Sequence, residues 1–150
     1  MNNILDISPL EKAVKSLEKA LIKLDQMNNS PNIEEDEKAF IKDSVIQRFE
    51  YTYELCPKFF KRYLKEAAAD QQEASELDYE PFQVLVRTAN MTGMFKNDWE
   101  KWKIYRNARN ITSHTYNEEK ADEVTATAKE FYSEALYFLN RLKENLNKMS

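Results

Sequence analysis

Hydrophobic positions recur along most of this chain at spacings of three and four, the period of helices that bury one face. Leu10, Val14, Leu17, Leu21 and Leu24 form a first stripe, introduced by Ser8 as N-cap, Pro9 at the first helical position and Glu11 in a capping-box place. "NNSPN" at 28–32 ends that helix. A second begins in the acidic run of residues 34–37, which suits the positive end of a helix dipole, and carries Phe40, Ile41, Val45, Phe49, Thr52, Leu55, Cys56, Phe59, Phe60 and Tyr63. Pro57 lies inside this pattern and predicts a kink near residues 53–57. Residues 66–80 read as a linker or loop. A short third helix is expected from Pro81 through Phe82, Leu85, Val86 and Ala89 to a stop near Gly93. Asp98 caps a fourth, with Trp102, Tyr105 and Arg109 on one face. A fifth starts near Asn117 and runs close to the C-terminus, its seam formed by Ala121, Val124, Ala128, Phe131, Ala135, Phe138 and Leu142.

The pattern predicts an all-α protein: an antiparallel bundle of about five helices with a four-helix up-and-down core, in one domain spanning residues 1–150. One glycine and four prolines agree with few turns. Leu139 and Leu146 widen the last stripe, and a homodimer would supply a second surface to cover them. The single cysteine, Cys56, excludes an internal disulfide and a multi-cysteine metal site, so no cofactor or metal is implied. Cys56 reads as a small buried hydrophobe rather than a nucleophile. Without a signal-peptide pattern or a membrane-spanning apolar run, a soluble cytoplasmic location is expected.

A net charge of -4 argues against a broadly basic nucleic-acid binder. Charge is unevenly spread, however. Residues 66–80 carry six acids and no base; "KFFKRYLK" at 58–65 has four positive charges; and residues 96–110 hold Lys96, Lys101, Lys103, Arg106 and Arg109 against Asp98 and Glu100. Trp99, Trp102 and Tyr105 are able to stack on bases, but their helical spacing places them in a core.

The basic stretch leads into "RNARNITSHTY", residues 106–116, which contains the chain's one histidine, His114. If the helix continued, Arg109 and His114 would sit about 140° apart around its axis. Ile111, Thr112 and Ser113 predict a helix end, from which His114 can swing back towards Arg109. Such a pair suits phosphate-ester chemistry: imidazole exchanges a proton near neutral pH, and guanidinium offers a fixed fork of donors to a phosphate gaining charge. Attack of an RNA 2′-hydroxyl on its own phosphate needs no metal and selects RNA over DNA. The bare spacing fits equally a helix-capping arginine beside an exposed histidine.

Two stretches, "DSVIQRFEYTYEL" at 43–55 and "ARNITSHTYNEEKA" at 108–121, together resemble the HEPN superfamily, in particular its nucleotidyltransferase substrate-binding proteins and HepT-like toxins. The resemblance implies an α-bundle that dimerises and brings two Arg-x4-His motifs into one cleft. It further implies metal-independent endoribonuclease activity and a minimal nucleotidyltransferase as antitoxin partner, encoded nearby. Carried onto this chain, Arg109 would clamp phosphate, His114 would act as acid or base, Asn110 would orient the substrate or touch its 2′-hydroxyl, and Arg106 would add a substrate contact. Tyr116 would be the tyrosine that the partner nucleotidylates, placing bulk and negative charge in the cleft. Arg48 or Glu50 would border the dimer cleft, or else lock a helix face internally. A non-catalytic adaptor presenting a substrate to the partner enzyme is the alternative, and a plain structural bundle a third.

Overall fold

The computed structural model describes residues 5–114 and 117–149, with the backbone alone for 112–114. Six α-helices follow one another: α1 (Ser8–Asn28), α2 (Glu35–Ala67), α3 (Gln71–Glu76), α4 (Phe82–Met91), α5 (Trp99–His114) and α6 (Glu118–Met149), with a 3-10 turn at Leu77–Tyr79. No strand occurs among the described residues. The fold class is therefore the expected one.

Helix directions follow from the contacts. Arg48 of α2 donates to the Ser16 carbonyl at 2.9 Å, while Thr52 reaches the Ala13 carbonyl, so α1 and α2 run antiparallel. Lys143 pairs with Glu11 and Lys129 with Asp25, which sets α6 antiparallel to α1. Phe49 meets Phe131 and Phe60 meets Phe138, so α2 and α6 point the same way. With α5 against both, the four long helices make an up-and-down bundle. Every residue of the α1 and α6 stripes is buried. An aromatic layer of Phe49, Tyr53, Phe95, Trp102, Tyr105, Phe131 and Phe138 fills the space between α2, α5 and α6.

Several local expectations are corrected. Ser8 is already helical; Asp6 accepts hydrogen bonds from both its amide and its hydroxyl, taking over the capping role. Helix α2 runs from Glu35 to Ala67 with Pro57 inside it. The stretch at 66–80 is not a loop: α2 extends to Ala67, and Asp70 then caps α3 by accepting from the Glu73 amide while Glu73 reaches back to the amide of Ala69. Phe40 lies outside the core, 78% exposed, whereas the rest of its stripe from Val45 to Phe60 is buried. Leu139 and Leu146 are covered within one chain, so their burial needs no second copy.

The turn between α4 and α5 is anchored rather than loose. Gly93 has φ +78°, the left-handed conformation that a side chain disfavours, and its carbonyl accepts from Tyr137 and Arg141. Glu134, fully buried on α6, accepts the amides of Lys96 and Asn97 at 2.8 and 2.9 Å and the Trp102 indole N–H at 2.8 Å. Burial raises its carboxyl above the usual range, opposed by these hydrogen bonds. One acid thereby fixes the start of α5 and seats Trp102, whose ring stacks on Phe95 at 4.5 Å. Asp98 caps α5 through the Lys101 amide, and Asn117 caps α6 through that of Lys120.

Candidate functional site

Arg109 leaves α5 on the side facing α2. There it meets two carboxylates one helical turn apart, an i, i+4 pair on one face. Its Nη2 lies 2.8 Å and its Nε 3.2 Å from Glu54 Oε2, and Nη1 stands 3.9 Å from Glu50 Oε2. The Glu54 hydrogen bond raises the guanidinium's already high pKa, so the arginine is permanently charged. The cluster sits at the surface, with the Arg109 side chain 31% and that of Glu54 53% exposed. Tyr53, next to Glu54 in the chain, is buried; burial pushes its phenol up to about 12, against the pull of Arg106 and Arg109, so it stays protonated at neutral pH.

This geometry supplies a solvent-reachable guanidinium whose partners include the exposed carboxylate of Glu54. A phosphate arriving there would exchange with Glu54, an oxyanion of the same kind. Arg106, one turn earlier, lies over the Trp99 ring at 5.1 Å and so packs on its own helix. Asn110 is exposed beside Arg109. Trp99, Trp102 and Tyr105 are buried, as their spacing predicted, and Cys56 is buried with its thiol well above the ordinary value.

The expected helix end before His114 is not found. α5 continues through His114, past the β-branched Ile111 and Thr112. The backbones of Arg109 and His114 therefore belong to one helix, a little over one turn apart. The His114 side chain and the whole of Tyr116 lie outside the described residues. Of the two α2 candidates, Arg48 serves structure by bonding Ser16, while Glu50 joins the arginine cluster. Sequence reasoning missed Glu54, fifty-five residues from its partner. Its one signal was the Glu50 and Glu54 spacing within "DSVIQRFEYTYEL".

An all-helical up-and-down bundle with an arginine and two acids gathered between its second and fifth helices is the class of protein defined here. Residues 5–144 match the family model described as "Nucleotidyltransferase substrate binding protein like", and the chain belongs to that family. It is 33% identical over 147 residues to the Haemophilus influenzae protein named "Probable ribonuclease HepT", covering 96% of each chain. A solved Haemophilus influenzae structure, described as having the fold of a substrate binding domain of a nucleotidyltransferase, aligns with a TM-score of 0.82 at 32% identity. That alignment covers 92% of this chain and 99% of the solved one. The resemblance carried by the two quoted stretches thus holds across the fold.

Proposed function

We propose that this protein is a HepT-like, metal-independent endoribonuclease and the partner of a minimal nucleotidyltransferase in a toxin–antitoxin module. The observation that carries the reading is Arg109, the first residue of the Arg-x4-His motif, held at the surface by a displaceable carboxylate. In the reaction, the RNA 2′-oxygen bonds to the neighbouring phosphorus and the bond to the 5′-oxygen breaks. One group takes the 2′ proton and another returns a proton to the leaving oxygen; His114 provides one of these roles. Arg109 holds the phosphate as negative charge builds. Asn110, exposed alongside, contacts the 2′-hydroxyl, and Arg106 is a further substrate contact. The active form is a cytoplasmic homodimer of single-domain chains, and nucleotidylation of Tyr116 silences it.

The test is cleavage of a labelled mixed RNA in EDTA by the parent, His114→Ala and Arg109→Ala. Cleavage by the parent alone, leaving 2′,3′-cyclic phosphate ends, is the expected result. A folded, unmodified dimer as inert as its variants would transfer the chemistry to the partner. A second reading then stands, a non-catalytic adaptor, favoured by the carboxylates that already occupy Arg109.

A further inference from the structure

Four lysines of α1 make a basic face on the outside of the bundle. Lys12, Lys15, Lys19 and Lys23 are all exposed, and their spacing of three and four puts them on one face over about 16 Å of helix. None joins an ion pair among the described residues. The acids of α1 point the other way: Glu11 pairs with Lys143, Asp25 with Lys129, and Glu18 accepts from the Tyr132 hydroxyl. The lysine face borders two adjoining grooves between α1 and α2. One, of about 620 Å³, is lined by Lys19, Ile22, Lys23, Phe40 and Arg48, with Glu37 as its acid. The other, of about 490 Å³, is lined by Lys12, Ser16, Arg48 and Tyr51. Phe40 and Tyr51, 78% and 55% exposed, mark the two ends, and Ile22 is half exposed between them.

We infer that this strip binds single-stranded RNA, with the lysines on phosphates and Phe40 and Tyr51 as platforms for bases. A cationic track with exposed rings is the arrangement that holds a single strand without reading its sequence. An acidic protein surface would match the lysines too. RNA is favoured by where the strip ends: Tyr51 is one turn from Glu54, which holds Arg109, so the track adjoins the cleavage site. The inference rests on the ribonuclease reading for the identity of its ligand.

The experiment uses the full chain and a short fluorescent 2′-O-methyl RNA, which lacks the nucleophile and stays intact, with affinity read by anisotropy across a salt series. Combined Lys12→Ala, Lys19→Ala and Lys23→Ala changes should weaken binding about tenfold or more and flatten the slope of log K against log salt by about 2. Tyr51→Ala should weaken it about fivefold or more at every salt concentration. These exposed substitutions should leave the circular dichroism unchanged. Parent-like RNA affinity in the strip variants overturns the inference, as does a strip that captures an acidic protein but no RNA. Cleavage of ordinary RNA, measured separately, keeps the two readings apart. Strip-dependent binding without cleavage sinks the nuclease and leaves the strip; cleavage with strip-independent binding does the reverse.

Discussion

Two basic regions of this molecule have opposite fates. Along residues 96–110, positive charge is engaged by the fold: Lys101 pairs with Glu130, Lys103 with Glu100 and Arg109 with Glu54, Lys96 donates to Ser133, and Arg106 lies over Trp99. The stretch at 58–65 is divided: Lys65 is bound to Asp78 of the acidic segment and Arg62 lies over Phe59, while Lys58 and Lys61 join no ion pair among the described residues. On α1 the lysines join no ion pair among the described residues, and that helix's acids face α6. The difference teaches that local charge density in a sequence does not measure available charge. What counts is which side of a helix the counter-ions occupy.

The largest expected effect tests whether the 96–110 region is a structural unit. Glu134→Ala would strand two backbone amides and an indole N–H in the core, and urea unfolding should show a loss of roughly 3–5 kcal/mol. Its pH dependence sharpens the point. Since burial raises the Glu134 carboxyl from 4.5 in the folded state, its contribution is full below that value and is lost as pH rises through the higher folded value. The stability of the parent relative to Glu134→Gln should therefore fall as pH climbs above about 4.5. A flat difference would show that the three hydrogen bonds cancel the effect of burial.

Arg109→Ala separates function from fold within the same region. Its partly exposed ion pairs are worth less than about 1 kcal/mol, so unfolding should barely change while cleavage falls by about 100-fold or more. Loss of stability without loss of cleavage would make Arg109 a strut. Glu54→Gln should act in the other direction, raising affinity for the 2′-O-methyl RNA by about two- to fivefold as the competing charge is removed. A drop in affinity would mean that Glu54 orients Arg109 for its ligand. Smallest of all, Lys101→Ala should cost at most about 0.5 kcal/mol and leave RNA affinity unchanged. An RNA defect there as large as that of the α1 variants would erase the contrast between the two regions.

Much of this architecture is determined by the order of residues alone. The stripes of α1 and α6, the caps at Asp98 and Asn117 and the placing of Trp102 and Tyr105 in the core all follow from helical period and local hydrogen-bonding capacity, which act over one or two turns. The motif beginning at Arg109 was legible only through its resemblance to a family, since local propensity put a helix end before His114 where α5 continues. Other features depended on groups distant in sequence. Residues 70–76 form a helix through a reciprocal cap that high acidity disguised as a linker. Phe40 is exposed because it stands five residues before Val45, about 140° round α2 from that buried position. Glu54 met Arg109, and Glu134 met Trp102, across fifty-five and thirty-two residues. Periodicity sets which face of each helix turns inward; only the packing of one helix on another decides which charges on the remaining faces find partners and which are left to solvent.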